Sequence, residues 1–198
     1  MQISEIANLT AGIITSRVLV DRRNNPEGTN KEDAPLNRAI KVLVPKAIHD
    51  NRVDHELLAD EKLAKEVSSD FLTQEGDLVI KFSSPYDSCL IEKEDEGLLI
   101  PSFCCKIRIK DPNRTDGNFL LAYLNSEKCK NELKNKCYGS IMAITKKSDV
   151  MKIEVPDFSI DKQKEIGNRF VLVKNIKKKM DGYVRLEQDR LDAIFGEN

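Results

Sequence analysis

The most regular hydrophobic pattern in the chain lies near its C-terminus, where apolar residues recur with helical spacing. Counting from Ile166 over residues 161–195 gives nine heptad seam positions, of which seven are apolar. The apolar positions are Ile166, Phe170, Val173, Met180, Val184, Leu191 and Ile194. A helix of this length spans about 50 Å. The pattern predicts a coiled-coil-like arm that packs against a partner helix, with packing against its own domain as the alternative.

The preceding residues alternate between strand-like and helix-like patterns. Strands are predicted at residues 40–44, 78–82, 98–110 (with a break near Pro101), 141–145 and 151–155. Helices are predicted at 54–67 and at 116–137, with Asp116 as the N-cap of the second helix. Residues 1–20 fit a short strand or helical turn, and the Asn-, Pro- and Gly-rich segment 21–35 predicts a loop. The expected fold is α+β, with a globular mixed α/β domain at 1–157 and one long C-terminal helix at 158–198.

Three basic residues alternate with apolar ones in the predicted strand that ends at residue 110. Period-two alternation predicts a core-facing set consisting of Phe103, Cys105, Ile107 and Ile109. It places Lys106, Arg108 and Lys110 in a row on the opposite face. Like charges in a row repel one another unless solvent or an anion screens them, so the row suits a polyanion. An ordinary solvated sheet face is the alternative.

The net charge of −1 hides a separation of charge along the chain. Residues 50–100 hold 5 Lys/Arg against 14 Asp/Glu, whereas residues 106–152 hold 11 against 5. A protein with one acidic and one basic side can present the basic side to nucleic-acid phosphates. Charged faces that are merely solvated explain the same numbers.

The sequence lacks the motifs of the enzymes that act on DNA. Asn25-Pro26-Glu27 lacks the second proline and the aromatic residue of an adenine methyltransferase, and no phosphate-binding GxxxxGK[ST] loop is present. Five cysteines without a CxxC pair and two histidines argue against a structural zinc site and for reduced, buried thiols. No secretory signal and no membrane-spanning apolar stretch are recognisable, so a cytoplasmic, non-catalytic protein without cofactor is expected.

Several short motifs follow one another in a recognisable order. They are Glu75-Gly76-Asp77-Leu78-Val79, Ile100-Pro101-Ser102, Tyr138-Gly139-Ser140-Ile141, Ile153-Glu154-Val155-Pro156 and Gln163-Lys164-Glu165-Ile166. In this order, ahead of a long amphipathic helix, they resemble a target-recognition domain of type I restriction-modification specificity subunits. Members of that family usually carry two recognition domains and two long helices, whereas this chain carries one of each. It therefore resembles a half-subunit.

The resemblance implies sequence-specific binding of double-stranded DNA at a bipartite target. It also implies a partner adenine methyltransferase, which would bind S-adenosylmethionine, and a possible restriction subunit. Pairing of the long helix with a second copy would rebuild the two-domain arrangement as a homodimer with a palindromic target.

The resemblance does not identify the residues that contact DNA, so they are predicted from residue type and position in the chain. Phosphate contacts are expected from Lys106, Arg108, Lys110, Arg114, Lys146 and Lys147. Base contacts are expected from residues in loops, namely Ser83, Ser84, Tyr86, Ser140, Arg22 and Arg23. For Tyr86 a buried place in a turn is the alternative, and Ser140 could simply shape its turn.

Two other functions are compatible with the sequence. The chain could be an interaction or dimerisation protein that binds no DNA. It could also be a truncated specificity subunit that only regulates the modification complex.

Overall fold

The computed structural model describes residues 1–20, 36–137 and 144–196. The predicted loop at 21–35, most of the predicted strand at 141–145, and the candidate residues Arg22, Arg23 and Ser140 lie outside this part of the chain.

A four-stranded antiparallel sheet organises the described part of the N-terminal domain. Its strands are β1 (Ala7–Ala11), β6 (Leu78–Lys81), β7 (Ser88–Leu90) and β8 (Cys104–Ile109), in the order β1-β8-β6-β7. Two smaller antiparallel pairs join β2 (Arg38–Val42) to β5 (Ala59–Leu63) and β3 (Ile48–His49) to β4 (Arg52–Val53). Short 3-10 turns occur at Thr15–Arg17, Pro45–Ala47, His55–Leu57, Ser69–Phe71 and Lys93–Asp95.

Five α-helices complete the described part of the fold. They are α1 (Ile3–Ile6), α2 (Gly117–Leu124), α3 (Glu127–Lys136), α4 (Lys147–Met151) and α5 (Ile160–Gly196). The largest hydrophobic cluster lies between one face of the sheet and these helices, and includes Ile80 and Ile107 from the strands and Leu120 from α2. A second cluster on the other face joins Val79 and Cys104 to the β3–β4 pair. The predicted α+β class and the long C-terminal helix are confirmed.

Strand β8 keeps the predicted alternation from Cys105 onward, but the face opposite the main core is covered as well. Cys105 and Ile107 are buried in the main cluster, whereas Cys104 and Lys106 are buried on the other face. Phe103, predicted to face the core, is instead 57% exposed at the start of the strand. Because the second face is covered too, Lys106 is buried there rather than solvated.

Three other predicted elements differ from the structure. Residues 54–67 contain a 3-10 turn and strand β5 rather than a helix, because Leu63 is buried where β5 pairs with β2. The helix predicted at 116–137 is two helices, with Ser126 capping the second through its hydroxyl. Of the strand predicted at 151–155, residue 151 ends helix α4, and among residues 152–155 only Glu154 forms a bridge, with Gln2.

Helix α5 begins on the domain and then leaves it. Ser159 caps its first turn, where its hydroxyl accepts a hydrogen bond from the Lys162 backbone N–H at 3.4 Å. The side-chain amide of the buried Gln163 accepts a hydrogen bond from the Asp116 backbone N–H through its oxygen. Its nitrogen donates a hydrogen bond to the Phe158 carbonyl. Gly167 lies against the start of α2, where a β-carbon would approach the Asp116 carboxylate oxygen to 2.5 Å. The first turns of α5 are therefore fixed to α2.

Gly167→Ala should destabilise the protein by about 1–3 kcal/mol, because the added methyl group forces α5 away from the Asp116 cap. Urea unfolding followed by circular dichroism measures the change. Gly182→Ala in the same helix is the control, since nothing lies within 4 Å of a β-carbon there. It should leave stability unchanged or raise it by up to about 1 kcal/mol. Equal effects of the two changes would contradict the tight contact at Gly167.

Candidate nucleic-acid interface

The predicted row of free cations on β8 is wrong, because the three side chains bind within the domain. Lys106 is buried and donates from Nζ to the Leu72 carbonyl at 3.0 Å, and burial lowers the pKa of its ammonium. Arg108 forms a two-point ion pair with the buried Asp77 at 2.7 and 2.8 Å. These contacts hold the sheet together and leave no basic row for a polyanion.

The third member of the row lies at the far end of the sheet. Lys110 is exposed, and its ammonium donates to the backbone carbonyls of Ser4 and Glu5. Arg114 is exposed nearby, and both residues line a cleft whose other walls include Glu5, Asp111 and Asp157. Because carboxylates surround the two cations, this end of the sheet is poorly suited to a phosphate backbone.

Backbone hydrogen bonds bring the remaining described candidates together at the opposite end of the sheet. The Phe82 N–H donates to the Phe103 carbonyl at 2.9 Å, and the Thr145 N–H donates to the Phe82 carbonyl at 2.8 Å. Ser83 forms an antiparallel bridge with Ile144. We call the resulting set, which consists of Ser83, Ser84, Phe103, Lys146 and Lys147, the loop surface.

The loop surface combines exposed cations, hydroxyl groups and one aromatic ring. Lys146 and Lys147 are exposed at the start of α4, and within the described residues neither forms an ion pair. Burial raises the pKa of the nearby Cys105 thiol to about 12, and the positive charge of Lys147 opposes this rise. Ammonium groups can bind phosphate, and hydroxyl and aromatic groups can contact base edges. The arrangement is therefore chemically suited to nucleic acid.

Sequence reasoning missed Phe103 and misplaced Tyr86. Phe103 follows Pro101 and Ser102 in a turn, and that proline was the available signal that the strand starts later than predicted. Tyr86 is only 2% exposed, with a positive φ of 60°, and burial and its contact with Cys137 raise the pKa of its hydroxyl to about 12. Its expected role in contacting bases is therefore wrong, and the alternative of a buried turn residue holds.

A buried ion pair fixes the loop that carries Ser83 and Ser84. Asp87 receives hydrogen bonds from the Lys130 ammonium at 2.6 Å and from the Lys81 ammonium at 2.8 Å. Burial alone would raise the pKa of Asp87, but the two lysines outweigh it and hold the pKa below its usual value. The loop is thereby attached to both β6 and helix α3.

The long helix presents a second candidate surface. Ile166 and Phe170 pack against the domain core, so their prediction as partner-helix positions is wrong. Val173, Met180, Val184, Leu191 and Ile194 are all more than half exposed. On the domain side, Lys174 pairs with Glu92 at 3.3 Å and Lys177 pairs with Asp50. The middle of the helix is therefore held to the domain by charge, and its apolar stripe is left uncovered.

Within the described residues, no group of histidine, cysteine and acidic side chains is placed to hold a metal ion. All five cysteines are buried as free thiols. No helix in the described ranges combines the length and the apolar character that crossing a bilayer requires.

A sheet domain with a loop surface at one end and a long docked helix is the fold of one half of a type I restriction-modification specificity subunit. The HsdS subunit from Thermoanaerobacter tengcongensis matches 96% of this chain, with 15% identity and a TM-score of 0.63. The S subunit from M. genitalium matches the same share, with 14% identity and a TM-score of 0.55. The fold predicted from the sequence motifs is thus confirmed.

A third solved structure concerns complex assembly and conformational transition of the type I restriction-modification system. It matches 96% of the chain, with 15% identity and a TM-score of 0.57. The chain spans 42 to 45% of the length of these three proteins. No protein-family model and no curated protein matches the sequence.

Asp87→Asn should destabilise the protein by about 1–3 kcal/mol at pH 7, because it leaves two partly buried lysines without their counter-ion. The folded-state pKa of Asp87 is depressed, so its contribution is present above the unfolded pKa of about 3.9 and is lost as pH falls through the folded value. Urea unfolding of both proteins between pH 7 and pH 3 measures the difference. A difference that stays constant down to the lowest pH would contradict this assignment.

Proposed function

We propose that this chain is the DNA-recognition subunit of a type I restriction-modification system. The fold match over 96% of the chain carries this proposal, because the motifs, the domain and the docked helix all follow the specificity-subunit arrangement. The protein itself performs no catalysis. It directs a partner adenine methyltransferase, which binds S-adenosylmethionine, to a target sequence.

Double-stranded DNA binds at the loop surface. Lys146 and Lys147 neutralise backbone phosphates, while Ser83, Ser84 and Phe103 contact base edges in the major groove. Two carboxylates of the acidic stretch 50–100, those of Asp50 and Glu92, are neutralised by lysines of the long helix.

A second copy of the chain supplies the other half of the recognition unit. The exposed stripe of α5 pairs with the same stripe of the second copy, which places the two domains at opposite ends of the paired helices. Two-fold symmetry then requires a palindromic, bipartite target with a fixed spacer. The methyltransferase, and a restriction subunit where one is present, assemble on this core.

Selection from a random duplex library tests the whole proposal, with the chain alone and together with the modification subunit encoded with it. Enrichment of two short inverted half-sites at a constant spacing is expected. Co-purification of the modification subunit without any enriched sequence would instead support a purely regulatory role. Failure of both would leave an interaction protein that binds no DNA.

The double change Lys146→Ala and Lys147→Ala should weaken binding to a random-sequence duplex. It should also reduce the slope of log Kd against log salt by about 1–2, since each phosphate contact contributes about 0.9 to that slope. Fluorescence anisotropy at several salt concentrations measures both effects. Lys110→Ala with Arg114→Ala is the matched control at the other end of the sheet. A larger effect of this control would move the interface to that end.

The double change Val173→Glu and Val184→Glu should convert a dimer into a folded monomer, because it places carboxylates inside the apolar stripe. Multi-angle light scattering measures the mass, and circular dichroism checks the fold. Ala193→Glu adds the same charge to an exposed position on the opposite side of the helix and should leave the dimer intact. A wild-type monomer would mean that another chain covers the stripe.

A further inference from the structure

The exposed stripe on helix α5 follows a more regular pattern than the one counted from the sequence. Five residues on one side of the helix contact or pair with the domain: Gln163, Gly167, Phe170, Lys174 and Lys177. With 3.6 residues per turn, the exposed apolar side chains centre about 130° away from this side. The uncovered seam therefore faces obliquely away from the domain.

The seam has steps of four and three residues, which is the spacing of a coiled coil. Its four apolar members are Val173, Ile176, Met180 and Tyr183, each about half exposed or more. Arg169 occupies the next seam position on one side and Glu187 the next on the other. The apolar seam is thus bounded by one positive and one negative charge.

These two charges are available for contacts with another chain. Among the described residues, Arg169 and Glu187 pair only with neighbours on the same helix, Glu165 at 3.0 Å and Arg190 at 2.6 Å. Their side chains remain 78% and 56% exposed. Exposed pairs within a helix contribute little to stability, so such contacts can be exchanged for contacts across an interface.

The two possible orientations of paired helices differ in how they bring these charges together. Parallel helices in register would place Arg169 against Arg169 and Glu187 against Glu187, and both contacts repel. Antiparallel helices related by a two-fold axis at position 178 would place Arg169 of each copy against Glu187 of the other. A self-complementary surface of this kind is what an isologous dimer requires.

We propose that Arg169 and Glu187 fix the orientation and register of an antiparallel pair formed by α5 with a second copy of this chain. In this register Val173 faces Tyr183 of the second copy, and Ile176 faces its Met180. The seam positions on the two helices thus meet as they do in antiparallel coiled coils. The inference rests on the proposed self-association and adds to it the residues that determine its geometry.

Other registers lose these contacts. A shift of one heptad in one direction places Arg169 against Met180, and a shift in the other places Val173 against Arg190. Either shift buries a charge against an apolar side chain without a counter-ion, which is unfavourable. The charges therefore disfavour the neighbouring registers as well as the parallel orientation.

Charge reversal tests the register in the full-length chain. Arg169→Glu alone and Glu187→Arg alone should each weaken the dimer by about tenfold or more at low salt, because each change turns two attractive contacts into repulsive ones. The double variant Arg169→Glu with Glu187→Arg should return to within about threefold of the wild-type Kd, since it restores both pairs with their signs exchanged. Sedimentation equilibrium measures the three constants, and circular dichroism checks the helix content.

The outcomes separate this inference from the proposal on which it rests. A wild-type dimer that neither single change weakens would overturn the register and leave self-association standing. A dimer weakened by the single changes and equally weak in the double variant would also overturn it. A wild-type chain that stays monomeric would overturn self-association and the register together.

Disulfide cross-linking gives a second test that does not depend on charge. All native cysteines are buried in the domain, so cysteines introduced into the helix react on their own. Val173→Cys and Tyr183→Cys should cross-link when the two single variants are mixed, whereas neither should cross-link with itself. Efficient cross-linking of Val173→Cys alone would show a parallel pair and overturn the proposal.

Discussion

The docking of helix α5 on α2 is the contact on which the rest of the arrangement depends. Gln163 is 99% buried and exchanges hydrogen bonds with three backbone groups, those of Asp116, Arg114 and Phe158. Four residues later, Gly167 allows the backbone of α5 to approach the capped start of α2. Because Gln163 offers both an acceptor and donors, an apolar residue there would leave buried backbone groups unpaired. The direction in which the helix leaves the domain is thus fixed within its first two turns.

The sequence predicted the helix well and its exposed face less well. Ser159 and the apolar period define α5 to within one residue of its described bounds, since a long amphipathic pattern is a strong local signal. Phe170 and Lys177 were assigned to the outer seam, however, and the structure turns both toward the domain. Nothing local distinguishes the two sides, because the partners are Asp50 and the core, both distant along the chain. Because these contacts turn one side of α5 toward the domain, the outer seam contains Ile176 and Tyr183 instead.

The basic residues show the same limit for the candidate site. Lys106 and Arg108 have the composition and spacing of a phosphate-binding row, but their partners, the Leu72 carbonyl and Asp77, lie more than thirty residues earlier. A cation that hydrogen-bonds inside a sheet cannot be told from a free one by sequence alone. Lys146 and Lys147 remain exposed because they begin a short helix at the edge of the domain. Candidate residues in loops therefore remained exposed more often than those in the central strand.

Charged side chains have three different roles in this molecule, and each role belongs to a different part of the structure. Pairs such as Asp77–Arg108 hold the sheet together, because the buried Asp77 carboxylate would be costly without a partner. Lys174 and Lys177 use the acidic flank of the domain to hold the middle of α5, which turns the apolar seam outward. Lys146 and Lys147 at the loop surface lie at the end of the sheet, and within the described residues neither forms an ion pair. A net charge near zero is therefore compatible with DNA binding, because the potential at each surface is set by the charges that stay unpaired there.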